Sequence, residues 1–319
     1  MPTSTKNWII LIILACVWGS SFILMKKAMF TNSGMPIFSD VQVGALRMVV
    51  AGLALLPFAI KAIRKINNLR TFLLLATVGL SGNFIPAFLF TYAETGISSG
   101  YAGMMNSFTP IFAIVIGVVV FKDRLTKNQT TGVSIGTVGV VLLMLAGRDL
   151  SVSGDWSHLG ALIFATFCYG TSINVIKHTL KGLKSHEIAS LAFFIVLLPS
   201  ALIAWQFGAM DTFKTNPHAL EGFTAIVILS VIGTAAALVL FNKLVANATI
   251  VFASSVTYLI PIIAVLIGLY FGETINSLQV GAMFIVIGGV FIASRHKKAR
   301  VKNVVKPADI SENQEKFAQ

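Results

Sequence analysis

The side chains able to do chemistry in this sequence are few, and they lie inside long apolar stretches. Arg47 is the only basic residue well within such a stretch, and amide side chains interrupt three others at Asn83, Asn106 and Asn174. Polar groups removed from water need partners, and inside a membrane they are candidates for function by default. Arg47 is therefore a candidate countercharge for a substrate carboxylate. It is equally a candidate structural partner for helix ends or for Glu94.

Prolines interrupt two of the apolar stretches at matching places. Pro110 and Pro261 each follow a polar turn. Proline removes a backbone hydrogen bond and kinks a helix, and matched interruptions point to the binding site of a transporter. We expect both to act as hinges, together with Pro86. The polar turns either line a cavity or satisfy the freed carbonyls, and the larger Asn106 and Tyr258 favour the cavity.

Aromatic side chains near the middle of apolar stretches are candidates for lining a substrate path. Trp18 and Ser21 are three residues apart and share a helix face, and Tyr169 begins a similar segment later in the chain. The glycines beside them, Gly19 and Gly170, favour close helix packing instead. The candidate substrate-binding residues are Trp18, Ser21, Arg47, Asn83, Asn106, Tyr169, Asn174 and Tyr258.

Catalytic and metal-binding patterns are weak in this sequence. The five histidines lie near the ends of apolar stretches or between them, without metal-ligand spacing. Nothing matches the glycine-rich phosphate loop of ATPases. The two cysteines, Cys16 and Cys168, are interpreted as small buried apolar residues. We therefore expect no enzyme activity, no metal and no cofactor.

The acidic residues bear on how transport is driven. They flank the apolar stretches or lie in loops and in the tail, and Glu94 comes nearest to the membrane interior. Proton relays place an acid within the membrane. The sequence therefore predicts uniport or exchange, driven by the substrate's own gradient, rather than proton coupling.

Long apolar helices must position all of these side chains. The 319-residue chain is 56% apolar and 11% charged, with a mean hydropathy of +0.85, which excludes an ordinary soluble domain. Ten stretches are long enough to span a membrane, and none shows the alternation of a barrel strand. The predicted fold is an all-α integral membrane protein with ten transmembrane helices. The predicted spans are 8–25, 41–60, 71–93, 99–121, 129–146, 159–176, 188–207, 222–241, 250–271 and 277–294.

Lysine and arginine fix the expected orientation. With the N-terminus inside, 19 of the 24 basic residues fall on the inner side and four on the outer side. Such a bias places both termini in the cytoplasm. It also accounts for the net charge of +12 without nucleic acid.

The sequence contains an internal repeat. Trp18-Gly19-Ser20-Ser21 aligns with Tyr169-Gly170-Thr171-Ser172, and Pro110 aligns with Pro261, both at an offset of 151 residues. Five spans is an odd number, so the second half would enter the membrane from the opposite side. Inverted repeats of this kind are typical of secondary transporters. We predict repeats at 1–147 and 158–295, and a disordered cytoplasmic tail at 296–319. In the last span of each repeat, Gly132 and Gly139 are matched with Gly281 and Gly288.

These residues resemble the EamA family of the drug/metabolite transporter superfamily. The likeness rests on the ten-span plan, on Arg47, and on three stretches: Trp18-Gly19-Ser20-Ser21-Phe22, Pro110 through Gly117 to Asp123-Arg124-Leu125, and Pro261 through Gly268 to Glu273. Asp123 stands where the family pattern has Glu, and no Arg follows Glu273. The resemblance implies transport of amino acids, metabolites or drugs, often outward.

The sequence therefore predicts a secondary transporter of small organic metabolites such as amino acids. It would be an exporter or exchanger in a bacterial inner membrane, working by alternating access around a central cavity. An uncoupled facilitator or channel is the alternative, and a membrane receptor or enzyme is a third. The expected partners are a small-molecule substrate and the lipid bilayer, with no nucleic acid, and the chain would be a monomer or a homodimer.

Overall fold

The computed structural model of the chain describes residues 4–97, 99–146, 156–270 and 277–294. Within these ranges the regular structure is helical, apart from an isolated β-bridge between Phe30 and Pro36. The first half contains α1 (Thr5–Met29), α2 (Asp40–Ala62), α3 (Leu69–Gly79), α4 (Ile85–Gly96), α5 (Ser99–Met105), α6 (Thr109–Val119) and α7 (Lys127–Ala146). The second contains α8 (Trp156–Thr179), α9 (Ser185–Gln206), α10 (Ala209–Thr215), α11 (Ala219–Ser230), α12 (Ala237–Asn247), α13 (Ile250–Ser254), α14 (Val256–Tyr270) and α15 (Ser277–Ser294).

Eight helical segments are long and apolar enough to cross a membrane, and Ile250–Ile263 is a shorter apolar one. The fifth predicted span falls on the 20-residue helix α7. The all-helical membrane fold is thus confirmed, while the number of ten spans stays a prediction. The eight segments are Thr5–Met29, Asp40–Lys65, Leu69–Gly96, Ala102–Val119, Trp156–Thr179, Ser185–Gln206, Ala219–Asn247 and Ser277–Ser294.

Helices in the two halves are interrupted at equivalent places. A π-helical segment, Leu80–Phe84, joins α3 to α4, and another, Val231–Ala236, joins α11 to α12; Leu80 and Val231 are 151 residues apart. The predicted fourth span breaks at a 3₁₀ segment, Asn106–Phe108, and the ninth breaks at a turn at Ser255. Such interruptions leave backbone carbonyls outside the regular helical pattern, often at functional sites.

The three predicted hinge prolines lie close to these interruptions. Pro86 and Pro110 begin α4 and α6, where the missing proline N–H costs no intrahelical bond. Pro261 instead lies inside α14, so the two aligned prolines differ in local structure. Their hinge role stays a prediction.

The last helices of the two halves, α7 and α15, pack against each other. Their backbones approach closely, because a Cβ added at Gly289 would lie 2.5 Å from the Gly136 nitrogen. A Cβ at Gly281 or Gly288 would meet nothing within 4 Å. The predicted match of these two glycines with Gly132 and Gly139 is therefore wrong by one residue. A Cβ at Gly139 would lie 2.8 Å from the Val286 nitrogen, and with an offset of 150 residues this contact corresponds to that between Gly289 and Gly136. Gly289 is therefore the counterpart of Gly139.

Candidate functional site

A central cavity lies between the two halves of the chain. Its walls come from α1, α2, α3, α4, α6 and the Leu80–Phe84 and Asn106–Phe108 segments of the first half, and from α8, α9, α12, α13, α14 and Val231–Ala236 of the second. The space between the lining side chains, including the part that opens to solvent, is about 1010 Å³. A concave site lined by several helices is the usual form of a small-molecule pocket.

The two halves contribute residues at equivalent positions to this cavity. Eight pairs of lining residues are 151 residues apart in the sequence. The cavity is therefore lined in the same pattern from both sides. The pairs are Trp18 and Tyr169, Ser21 and Ser172, Phe22 and Ile173, Met25 and Ile176, Gly82 and Gly233, Asn83 and Thr234, Phe90 and Phe241, and Asn106 and Thr257.

Arg47 breaks this pattern, because among the described residues it is the only charged side chain that lines the cavity. Its Nε donates a hydrogen bond to the Thr234 hydroxyl at 2.9 Å, and its Nη1 lies 3.8 Å from the sulfur of Met25. The Thr234 hydroxyl in turn donates to the Leu229 carbonyl at 3.0 Å, which the π-helical segment leaves accessible. A guanidinium keeps further donors free after one such bond. Arg47 can therefore bind an anionic group in the cavity.

The remaining polar groups of the wall are neutral. Asn83 donates to the Val78 carbonyl at 3.4 Å, and the Asn106 side-chain oxygen accepts from the Thr109 hydroxyl at 3.2 Å. The Trp18 indole N–H donates to the Gly233 carbonyl at 3.0 Å, which links α1 to the second π-helical segment. Ser21 bonds within its own helix. The two amides thus retain hydrogen-bonding capacity for a ligand.

Aromatic rings form much of the apolar wall. The rings of Trp18 and Phe241 are centred 5.1 Å apart, and those of Phe22 and Phe90 are 5.9 Å apart. Tyr169 stacks on Phe90 at 5.9 Å. Rings at such distances pack favourably with one another. The wall can therefore accept an apolar part of a ligand beside the charge of Arg47.

Six of the eight predicted substrate-binding residues line the cavity, and two lie elsewhere. Asn174 faces α6: its Nδ2 donates to the Ala113 carbonyl of α6 and to the Gly170 carbonyl of its own helix, each at 2.8 Å. The Tyr258 hydroxyl lies 2.9 Å from that of Thr137, on α7. Consecutive helical residues point about 100° apart, so Thr257 faces the cavity and Tyr258 faces away from it. The lining six are Trp18, Ser21, Arg47, Asn83, Asn106 and Tyr169.

Sequence reasoning missed several polar lining residues that the repeat offset would have found. Ser172, Thr234 and Thr257 are the counterparts of Ser21, Asn83 and Asn106. The missing step was to carry each candidate from the first half onto the second. Asn242 also lines the cavity, and its Nδ2 donates to the Ser185 carbonyl at 3.3 Å. The repeat offset does not indicate Asn242, because the residue at the matching position in the first half, residue 91, is a threonine.

No His, Cys, Asp or Glu side chain is among the described residues that line the cavity. Where the structure describes the chain, no three His, Cys, Asp or Glu side chains are grouped closely enough to bind a metal ion. His178 Nε2 lies 2.9 Å from Asp123 Oδ1, and the His178 ring stacks on that of Phe121. This pair joins the end of α8 to the segment after α6 and is not part of the cavity wall.

Comparison with known proteins identifies the family. The sequence pattern of the EamA-like transporter family matches residues 6–145 and again residues 156–295. An uncharacterized inner membrane transporter of Escherichia coli is 26% identical over 288 residues, covering 89% of each chain. A probable amino-acid metabolite efflux pump of Salmonella typhimurium is 23% identical, covering 91% of this chain and 95% of that protein. A probable terminal-alkyne amino-acid exporter of Streptantibioticus cattleyicolor is also 23% identical, covering 96% and 99%.

A solved crystal structure shares the fold. It superposes with a TM-score of 0.66, covering 91% of this chain and 98% of the other at 14% sequence identity. The family pattern covers most of the chain in two successive matches, in agreement with the repeat read from the sequence. The chain belongs to the EamA-like transporter family.

Proposed function

We propose that the protein is a secondary transporter that exports or exchanges small organic metabolites such as amino acids. The observation that carries this proposal is the central cavity, to which both halves contribute equivalent residues and in which Arg47 is the charged lining group. A site between two repeats is the arrangement that alternating access requires. Two relatives with amino-acid exporter names support the same substrate class.

The chemistry of the wall suits an amino acid with an apolar side chain. A carboxylate would pair with the Arg47 guanidinium, which forms strong charge-assisted hydrogen bonds with such groups. The aromatic rings around Trp18 and Phe90 would contact the side chain. Oxygens of Asn83 or Asn106 would accept hydrogen bonds from the amino group.

The proposal includes an orientation and a repeat symmetry. The protein would lie in a bacterial inner membrane with both termini in the cytoplasm, and residues 1–147 and 158–295 would form inverted repeats. The bias of Lys and Arg supports this topology, and a relative named as an inner membrane transporter supports the location. The proposed tail at 296–319 lies outside the described residues. Reporter fusions after Lys181 and Lys214 should report inside and outside, respectively, and the reverse result would refute the topology.

Ligand-induced stabilisation tests the substrate class. Binding raises the free energy of unfolding by RT ln(1 + [L]/Kd), so the purified protein should melt at a higher temperature with L-leucine. Leucinamide has the same side chain and amino group but no carboxylate, and it should not stabilise. Arg47→Gln should remove the effect of leucine. Equal stabilisation by both compounds would contradict a carboxylate site at Arg47.

Counterflow separates a carrier from the alternative of an uncoupled channel. Proteoliposomes loaded with unlabelled leucine should transiently accumulate labelled leucine above its external concentration, because a carrier exchanges one molecule for another. A channel would only equilibrate the label. Equilibration without an overshoot would therefore replace the transporter proposal with that of a facilitator.

A further inference from the structure

Glu94 is an acidic side chain buried inside the protein. It lies in the last turns of α4 and is only 1% exposed. Its chain neighbours Ala93 and Ile97, and Phe90 one turn earlier, belong to a buried apolar cluster that also contains Phe22. The sequence suggested a position at the edge of the membrane, but the structure removes this carboxyl from solvent.

No donor among the described residues is in hydrogen-bonding geometry with either carboxyl oxygen of Glu94. The Ser99 hydroxyl is close enough to act on this carboxyl, but it donates to the Phe22 carbonyl at 3.5 Å instead. Removing an ionised carboxylate from water without partners is very costly, and such a group neutralises instead. The end of a helix is also its negative pole, which disfavours an acid in the last turn. The geometry therefore fits a protonated Glu94 in this conformation.

Arg47 is near Glu94 but is bonded elsewhere. The charged side chains that act on Glu94 electrostatically are Lys26 on α1 and Arg47 on α2. On α8, which also packs against α4, Tyr169 interacts with Arg47, and the ring of His158 lies against Gly96. Helix α5 carries no charged residue.

The hydrogen bond from Arg47 to Thr234 holds the guanidinium at the cavity wall. The same guanidinium could pair with an ionised Glu94 after a change of its side-chain conformation, since long arginine side chains have several rotamers. Arg47 can therefore pair with either of two carboxylates: that of a substrate in the cavity or that of Glu94.

We propose that Glu94 is a proton-binding residue whose protonation is coupled, through Arg47, to the binding of a carboxylate-bearing substrate in the cavity. When the cavity is empty and Glu94 is ionised, Arg47 pairs with Glu94. When Glu94 takes up a proton from water, Arg47 is released to the cavity and binds the substrate carboxylate. This inference rests on the proposed function, which supplies the substrate, and it replaces the sequence-based expectation of transport without protons.

The coupling has a defined direction. Substrate and proton favour the same form of the protein, so each raises the affinity for the other. They would therefore cross the membrane together, and net export of the substrate would carry protons outward. Exchange of one substrate molecule for another would move no net protons.

The first test needs no substrate. Infrared difference spectra of the purified protein at near-neutral pH should show the carbonyl band of a protonated carboxylic acid. Glu94→Gln should remove this band, while Glu221→Gln, at an exposed position on α11, should leave it unchanged. In Arg47→Gln the band should persist to higher pH than in the wild type, because the competing cation is lost. Absence of the band, or identical pH dependence in Arg47→Gln, would overturn the proposal.

The second test uses L-leucine as the probe. Above the pH at which the band disappears, leucine binding should weaken about tenfold per pH unit. Binding there should also take up about one proton per leucine in weakly buffered solution. Glu94→Gln should bind leucine without this pH dependence and without proton uptake. Wild-type binding that is independent of pH would overturn the proposal, even if Glu94→Gln cannot be obtained in folded form.

The two tests separate the two proposals. If leucine does not bind at any pH, the proposed substrate class is wrong, and the infrared comparison of wild type with Arg47→Gln still decides whether Arg47 and Glu94 are coupled. If leucine binds and exchanges normally but no proton is taken up, the proposed function stands and the proton site is rejected.

Discussion

The ends of α4 and α12 occupy equivalent places in the two halves but are held differently. At the end of α12, the Lys177 ammonium group donates to the carbonyls of Val245, Ala246 and Ala248 at 2.8, 3.2 and 2.6 Å. All three of its donors are used, and a cation at a helix C-terminus is favourable. Lys26, 151 residues before Lys177, is exposed and forms no hydrogen bond with the described part of the chain.

The same contrast extends along α1 and α8. On α8, Asn174 binds the Ala113 carbonyl of α6, and His178 binds Asp123. The matching residues on α1, 151 positions earlier, are Ile23 and Lys27, which make neither bond. One end of the molecule is therefore fixed by polar bonds between α6, α8 and α12, whereas apolar packing surrounds the buried Glu94 at the other. Under the proposed alternating access, this difference would let the end near Glu94 open while the other stays closed.

Replacing equivalent glycines should give the largest effects on stability. A Cβ at Gly170 would lie 2.8 Å from the Ala113 nitrogen and 2.9 Å from the Phe112 carbonyl carbon, which are backbone atoms of α6. Gly170→Ala should lower the free energy of unfolding by about 3 kcal/mol. At Gly19 a Cβ would instead meet Cγ2 and Cβ of Ile263 at 2.7 and 2.8 Å. The Cγ2 can rotate away but the Cβ moves only with its backbone, so a smaller loss of about 2 kcal/mol is expected.

Thermal unfolding in detergent measures this difference. Gly160→Ala is the matched control on α8, because a Cβ there would meet nothing within 4 Å. It should be neutral or stabilising, since alanine favours helix over glycine. Equal destabilisation at Gly19 and Gly170 would remove the contrast in packing between α1 and α8.

Replacing the two lysines tests the contrast at the helix ends directly. Lys177→Met keeps the aliphatic length but leaves three carbonyls at the end of α12 without the ammonium group, and we expect a loss of about 2 kcal/mol. Lys26→Met should change stability by less than about 0.5 kcal/mol, as for an ordinary exposed position. Melting temperatures of both variants measure these effects. Similar losses of stability would mean that Lys26 also stabilises a helix end.

The sequence predicted the architecture better than the site. Helix positions and the 151-residue offset follow from apolar length and from fragments around Trp18 and Pro110, which are local signals. The directions in which Asn174 and Tyr258 point do not follow from local signals, because they depend on which neighbouring helices pack against each side of α8 and α14. The burial of Glu94 was missed for the same reason: chain position near the end of a span does not reveal that α1, α2 and α8 enclose it.

The contact between His178 and Asp123 should contribute less to stability than Lys177 does. Their side chains are 22% and 35% exposed, so solvent screens the 2.9 Å contact. Asp123→Asn keeps an oxygen that can accept from His178 but loses the charge, and the expected loss is about 0.5–1 kcal/mol. It should shrink in high salt, because ions screen partly exposed charges. A loss as large as that of Lys177→Met would indicate that the pair, rather than the lysine, fixes this end.

Glu94→Gln should have the smallest effect on stability, less than about 0.5 kcal/mol near neutral pH. Glutamine has the shape of a protonated glutamic acid and no charge, so the swap changes little if the acid carries a proton in its apolar surroundings. If Glu94 were instead ionised and paired with a cation, its loss would leave that cation buried alone, at a cost of several kcal/mol. Melting temperatures of Glu94→Gln and wild type at near-neutral pH distinguish these cases.

Glu94→Val, which copies Val245 of the other half, should stabilise the protein, because it removes a buried polar group that lacks partners among the described residues. A large loss in either variant would place a charged pair at the end of α4 and make the two ends alike.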